Sequence, residues 1–237
     1  MTDIHSHILF GVDDGSDSVE ESILILKKLK SVGFDKVILT PHFILDSNYN
    51  SKYADNFKRY SYLKNIVKDN DIGIDIFLGN EIYINEHIIE LLDNNIISSL
   101  NGTQYVLIEF SLYNKILNLE DILYNIKCRG YQVVIAHPER YDYFQNDYKF
   151  VDRLRKDGFF FQSNYSSILG YYGVRAKKLI KYMLKKHYID FLGTDIHKND
   201  KDYVITNFGV IEKKIKKITG DKYYKIIQVN CDKLIGS

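Results

Sequence analysis

Gln132-Val133-Val134-Ile135-Ala136-His137-Pro138-Glu139-Arg140 decides the fold. The β-branched run Gln132–Ala136 reads as a strand. A histidine follows at once, then a proline, which stops the strand and stiffens the turn that carries the imidazole. Thr40-Pro41-His42 repeats the theme after Lys36–Thr40, and these are the chain's two prolines.

Working outward, the strand candidates are Asp3–Ile4, Lys36–Thr40, Ile74–Leu78, Gln104–Ile108, Gln132–Ala136, Phe159–Ser163 and Ile189–Leu192. Between them lie helical patterns. Ser18 and Glu21 stand at capping-box spacing before the stripe Ile23, Leu26, Leu29 and Val32, and Gly33 ends that segment. Leu119–Arg129, Tyr148–Lys156, Arg175–Lys186 and Phe208–Ile218 are further amphipathic stretches, and the last two are basic on the polar face. Strand alternating with helix means βαβ units and a parallel sheet.

Nearly every strand end carries a histidine or a carboxylate: His5, His7, His42, Glu81, Glu109, His137, Asp195 and His197. An open doubly wound sheet collects ligands at one switch point from a few strands. Candidates at almost every strand end favour closure, so the expected fold is a distorted (β/α)7 TIM-like barrel with its site at the C-terminal ends of the strands. A single domain over residues 1–237 fits that length.

Five imidazoles and several carboxylates, with no cysteine among them, form a nitrogen and oxygen set suited to divalent metals. The chemistry they imply is hydrolysis by metal-activated water. The loop Gly11-Val12-Asp13-Asp14-Gly15-Ser16 offers one more ligand, with Asp14 expected to bind and Asp13 to cap or turn. His87 and His187 read as surface or helix-end residues.

Composition removes several alternatives. The formal net charge is +1, which gives no bulk argument for nucleic acid or membrane partners. No apolar run is long enough to span a bilayer, and the first residues, MTDIHSHILF, do not resemble a signal peptide. Two unpaired cysteines, Cys128 and Cys231, suit a reducing cytoplasm. Neither is followed by the arginine that cysteine-dependent tyrosine phosphatases need: six residues on stand Val134 and Ser237. No Walker-type glycine loop is present.

The segments DIHSHILFGVDDGS, TPHF, GNEIY, LIEFS, AHPERY, QSNYSSILG and GTDIH, in this order, resemble the PHP (polymerase and histidinol phosphatase) superfamily. Within it they are most similar to the tyrosine-protein phosphatases of bacterial capsule and exopolysaccharide loci. The resemblance implies a distorted (β/α)7 barrel with three divalent ions, usually manganese, with iron, zinc and cobalt as alternatives. His5, His7, Glu81 and Asp195 would hold one ion, Glu81, Glu109 and His137 a second, and Asp14, His42 and His197 a third. Superfamily relatives often place a histidine where Asp14 stands. Against the four carboxylates, three divalent ions leave the site net positive, which suits a phosphate monoester dianion.

The same resemblance implies that Arg140 forks onto the phosphate. Gln162 and Asn164 match its Gln-x-Asn element, and Asn164 is taken as substrate-binding. Asp195 or His197 is the expected proton donor to the leaving group. Relatives often carry a second arginine past the last metal histidine; here Lys198 or Lys201 would have to serve, as a point charge. The implied partner is a phosphotyrosine protein, a membrane-linked tyrosine autokinase with a tyrosine-rich tail. Tyrosines in 43–53, 110–118, 141–150 and 165–173 are candidates to stack on a phenyl ring. The rival readings are a phosphoesterase for a small metabolite such as histidinol phosphate or a nucleotide, and a non-enzymatic metal-binding regulator.

Overall fold

A computed structural model describes residues 1–199 and 203–236. The chain runs β1 (Thr2–Asp3), α1 (Val19–Ser31), β2 (Lys36–Leu39), β3 (His42–Phe43), α2 (Tyr53–Asp69), β4 (Asp75–Leu78), β5 (Glu81–Tyr83), α3 (Ile88–Asp93), β6 (Tyr105–Glu109), α4 (Leu119–Cys128) and β7 (Gln132–Ala136). It continues through α5 (Asp142–Asn146), α6 (Tyr148–Lys156), β8 (Phe160–Asn164), α7 (Val174–Lys185), β9 (Phe191–Gly193), α8 (Tyr203–Thr206) and α9 (Phe208–Lys233).

Every pairing between these strands is parallel. One sheet has the order β1-β2-β4 and the other β3-β5-β6-β7-β8-β9. The pairs β2/β3 and β4/β5 are each separated by two residues, Thr40-Pro41 and Gly79-Asn80, and the members of each pair fall in different sheets. The segments that follow the first and last strands also meet. Ser6 bridges Ile196, the His7 amide donates to the Ile196 carbonyl at 2.9 Å, and the Asp195 amide donates to the His5 carbonyl at 2.8 Å.

The strands are buried on both faces, Val106, Leu107, Ile108, Val134, Ile135 and Ala136 being wholly inaccessible. That is the burial expected of parallel strands covered by helices. Local signals explain several helices. Ser18 Oγ accepts from the Glu21 amide, which starts α1. The Glu21 carboxylate reaches back to the Asp17 amide at 2.9 Å, one residue earlier than a standard capping box. Its other oxygen accepts from the Asn199 amide at 3.0 Å and so ties α1 to the segment after β9.

The long helix α2 has no signal of comparable strength. It lacks a side-chain N-cap and buries only Asn56, Leu63 and Val67. It occupies the region after the stretch 43–53. The segment Phe208–Ile218 continues to Lys233 as α9, broken at Gly220 (φ 73°), where a residue in the left-handed region interrupts the helix. No helix among the described residues is long and apolar enough to cross a membrane. Cys128 is exposed, Cys231 is buried, and both are free thiols.

Candidate metal centre

All nine expected ligands come together at the C-terminal ends of the strands. His5 Nε2 lies 3.1 Å from Glu81 Oε2 and 3.6 Å from Asp195 Oδ1. His7 Nε2 lies 3.2 Å from Glu81 Oε2 and 3.5 Å from Asp195 Oδ1. His137 Nε2 is 2.9 Å from Glu81 Oε1 and 3.7 Å from Glu109 Oε1. His42 Nδ1 is 3.1 Å from Glu81 Oε2 and 3.7 Å from Glu109 Oε2. Asp14 Oδ1 stands 3.6 Å from both His42 Nε2 and His197 Nε2. Donor atoms sharing one ion at about 2.0–2.2 Å lie about 3.0–3.6 Å apart, the separations seen here.

Three sets of donor atoms converge within reach of one ion: His5, His7 and Glu81; His42, Glu81 and Glu109; and His7, Asp14, His42 and His197. This grouping differs in detail from the expected one. His42 joins Glu81 and Glu109 beside His137, and His7 joins the set of Asp14. Glu81 sits at the centre of the whole array.

The hydrogen bonds around the histidines test whether cations fit. The His137 amide donates to Gln162 Oε1 at 3.2 Å, which fixes that amide oxygen as an acceptor. His5 Nδ1, 2.9 Å from the same oxygen, must therefore carry a proton, and in the neutral ring its Nε2 is a lone pair. His7 Nδ1 is likewise held at 2.8 Å by Asp13 Oδ2. The two Nε2 atoms then face each other at 3.2 Å with only lone pairs between them. Glu81 Oε2 and Asp195 Oδ1, both buried, have no hydrogen-bond partner. Buried acceptors aimed at one another need a proton or a cation. The residues present fit divalent metal.

Without metal, protons take that place. Burial alone would push the His5 pKa down, but the Glu81 and Asp195 carboxylates outweigh it and hold it at about 9. His7 is raised well above its ordinary value, its burial being outweighed by Asp13, Asp195 and Glu81. Burial opposes ionisation of Glu81 and Asp195 as well, yet the histidines keep both well below the usual carboxylate range. Glu109 goes the other way, raised by burial and by the Glu81 charge. His137 and His197 are each lowered to about 4, chiefly by burial and then by the Arg140 and His7 charges respectively.

The sign follows. A histidine raised from 6.5 to about 9 stabilises the fold below pH 6.5, and that stability is lost as pH rises through 9. Metal-stripped protein should therefore lose Tm between pH 6.5 and 9. Metal-loaded protein, whose ligand imidazoles carry no such proton, should lose much less. Thermal scans of both forms across this window check it, and parallel curves would contradict the assignment.

The support around the ligands explains their orientation. Asp13 Oδ2 accepts from His7 Nδ1 and from the His42 amide at 2.8 Å, and its Oδ1 accepts from the Gly15 amide at 2.9 Å. Asp13 thus orients His7, while the half-exposed Asp14 is left facing His42 and His197. Asp13→Asn should keep the fold and lower metal affinity about 10–100-fold, read by competition with a chelator. Affinity unchanged within twofold would contradict this role.

Asp195 Oδ2 accepts from Asn164 Nδ2 at 2.6 Å and Arg140 Nη1 at 2.9 Å, with the Tyr172 hydroxyl at 3.4 Å. Its Oδ1 is left for the cluster. Asn164, expected to bind substrate, is buried. Its Oδ1 accepts from Gln162 Nε2 at 2.9 Å, and its Nδ2 donates to Asp195 and to the Tyr172 hydroxyl. Its side chain is engaged within the protein and holds Asp195.

Arg140 pairs with Asp195, not with the neighbouring Glu139. Glu139 is buried, where it accepts from the Asn164 amide at 2.8 Å and Ser167 Oγ at 2.7 Å. The guanidinium lies 4.7 Å from the centre of the Tyr172 ring. Lys198 is taken by Asp17 at 2.6 Å, and Lys201 lies outside the described residues.

Two ligands sit on strained backbone: His137 (φ 28°) and Asp195 (φ 53°). Non-glycine residues rarely adopt such angles, and they gather at functional sites. Beside the cluster opens a cavity of about 240 Å³, lined in part by Arg140, Tyr171, Tyr172, His197 and Tyr203. Of the tyrosines expected to stack on a substrate ring, Tyr141 and Tyr165 are fully buried, while Tyr171 and Tyr172 face this cavity and Tyr49 lies against His42. The contacts of Asp13 with His7, of Gln162 with His5 and of Tyr172 with Asp195 are the parts of the site that residue spacing did not specify.

Known proteins resemble this chain in sequence and fold. The family model for capsular polysaccharide synthesis proteins, CpsB/CapC, matches residues 1–236. The chain belongs to the CpsB/CapC family. It is 33% identical over 243 residues to the tyrosine-protein phosphatase CpsB of Streptococcus pneumoniae, covering 96% of this chain and 98% of that protein. CpsB of Streptococcus agalactiae is 31% identical over 205 residues, covering 84% of each. Crystal structures of YwqE from Bacillus subtilis and CpsB from Streptococcus pneumoniae, described as unique metal-dependent tyrosine phosphatases, superpose with a TM-score of 0.91. The match has 26% identity and covers 99% of this chain and 94% of that one. This CpsB/CapC membership agrees with the resemblance read from the sequence.

Proposed function

We propose that this chain is a metal-dependent protein-tyrosine phosphatase with three divalent ions, manganese first among the candidates. The observation that carries the reading is Glu81. Its buried Oε2 has no hydrogen-bond partner and is met by His5, His7 and His42 within 3.2 Å. His5, His7, Glu81 and Asp195 would hold one ion. Glu81, Glu109 and His137 would hold a second, and Asp14, His42 and His197 a third. When bound, such ions supply Lewis-acid activation of water and neutralise charge at the phosphoryl group.

The protein's own residues do the rest. Asn164, Arg140 and Tyr172 fix Asp195 through one oxygen and turn the other toward the cluster. Arg140, at the cavity wall, gives the site its positive side chain for phosphate oxygens. Tyr172 keeps its proton, because burial and the Asp195 charge raise its pKa, so the cavity wall retains a hydroxyl donor. A phenolate leaving group, with a pKa of about 10, asks little of a general acid.

We read the nine strand segments as seven barrel strands, with β2/β3 and β4/β5 as halves of one strand each and the Ser6–Ile196 bridge as the closure. The whole chain forms one domain in this reading. The substrate is a phosphotyrosine protein, with a tyrosine autokinase of capsule or exopolysaccharide synthesis as its source, and the reaction takes place in the cytoplasm.

Rates on a phosphotyrosine peptide, a phosphoserine peptide and histidinol phosphate, each under several added cations, test the reading. The peptide of tyrosine should lead, and faster turnover of histidinol phosphate would overturn the specificity. Arg140→Ala should lower kcat/KM for the phosphotyrosine peptide about 10²-fold or more, since both the phosphate contact and the anchor of Asp195 go. Unchanged kcat and KM would remove Arg140 from the site.

A further inference from the structure

The basic faces of α7 and α9 have no part in the metal centre. Lys177, Lys181 and Lys185 recur every four residues along α7, and Lys214 and Lys217 stand three apart on α9, so each set forms a row on its helix. The two rows border one groove of about 470 Å³, with Ile168 and Ile218 in its lining. Lys181, Lys185, Lys214 and Lys217 are exposed.

The neighbouring Lys186 and Lys216 are neutralised by Asp152 and Glu212. Among the described residues, none of the five groove lysines has a carboxylate partner. Lys177 donates to the Leu169 carbonyl at 3.2 Å. In a chain of net charge +1, five unneutralised ammonium groups around one apolar-lined groove form a local positive field.

The groove adjoins the proposed active site. The segment 165–173 turns Ser166, Tyr171 and Tyr172 to the cavity beside Asp195 and contributes Ile168 to the groove. Tyr171 in the cavity wall and Lys177 in the groove are six residues apart, which limits their separation to about 20 Å. A flanking segment of about six extended residues spans that distance.

We infer that this groove takes acidic residues flanking the phosphotyrosine of the substrate protein, and so selects substrates by charge. The inference rests on the phosphatase reading for the phosphotyrosine itself. The favoured occupant is a peptide. The concavity and its isoleucine lining suit a chain with apolar side chains between its carboxylates, whereas a bilayer surface would meet only the rim.

The test compares two phosphotyrosine peptides on the full-length, manganese-loaded protein, identical except that glutamates flanking the tyrosine in one are glutamines in the other. The variants are K181Q/K185Q/K214Q/K217Q and the charge-keeping K181R/K185R/K214R/K217R, and para-nitrophenyl phosphate reports on the site alone. KM for the acidic peptide should be about tenfold lower than for the neutral one at low salt, and the gap should shrink at high salt. The glutamine variant should abolish the difference without changing kcat or turnover of para-nitrophenyl phosphate, and the arginine variant should retain it. Equal KM values for the two peptides, or a preference surviving in the glutamine variant, would overturn the inference. So would lysine-dependent binding to phosphatidylglycerol vesicles with no distinction between peptides, which would assign the groove to a membrane. If para-nitrophenyl phosphate is not turned over at all, the phosphatase reading falls. Fluorescence anisotropy with the unphosphorylated peptides then still decides the groove, since only the acidic one should bind.

Discussion

Glu81→Gln should abolish both metal retention and turnover. Its carboxylate is buried, faces His5, His7, His42 and His137 within 3.2 Å, and belongs to two of the three convergent donor sets. A carboxamide of the same shape keeps the packing but loses the charge and one of the two anionic oxygens. Elemental analysis after dialysis should find less metal per chain than in the parent protein. The rate on a phosphotyrosine peptide should fall by about 10³-fold or more. The isosteric change should leave folding intact by circular dichroism, which separates loss of metal from loss of structure. A variant with a full metal complement and a rate within tenfold of the parent would show that Glu81 is not the bridge.

Gly193→Ala should lower stability markedly. Gly193 ends β9, two residues before Asp195, and a Cβ there would stand 2.6 Å from His5 Cβ and 2.9 Å from Gln162 Nε2. Both neighbours belong to the ligand framework, so the strand must shift or His5 must turn. Overpacking of this kind costs about 1–3 kcal/mol, which lowers Tm by about 2–12 °C in a chain of this size. Metal affinity should fall with it, because His5 and Gln162 move together. Gly209→Ala is the matched control: nothing lies within 4 Å of its added Cβ, and Tm should hold or rise slightly. Equal Tm values for the two variants would mean that β9 does not press on His5 as described.

Much of the site was legible because ligands of this kind sit where strands stop. His42 and His137 follow strand-forming runs and adjoin the two prolines, and Asp195 and His197 follow β9, so one rule of topology places them together before any distance is known. The strands themselves were legible from β-branched runs, Gln132–Ala136 matching its observed limits. The breaks at Thr40-Pro41 and Gly79-Asn80 were not, because a two-residue interruption leaves no mark on the apolar pattern. Helix α2 was missed for a related reason: with three buried residues and no side-chain cap, it lacks both the stripe and the start signal.

The supporting residues were harder to read than the ligands. Nothing in the pair Asp13-Asp14 says which carboxylate turns inward; that depends on the loop passing His7 Nδ1 and the His42 amide. The role of Asn164 depends on Gln162, whose amide is oriented by the backbone of His137 on the adjacent strand. Such contacts join strands far apart in sequence. Lys198, a chemically reasonable stand-in for a second arginine, is drawn off by Asp17 on a different segment.

The most direct test of the metal cluster is anomalous diffraction from a crystal of the protein soaked in manganese. The account predicts peaks beside Glu81, one within coordinating distance of His5 and His7 and another toward Glu109, with a third between Asp14 and His197. A difference map with no anomalous peak near Glu81, while His5 and His7 keep their Nε2 atoms face to face, would contradict it.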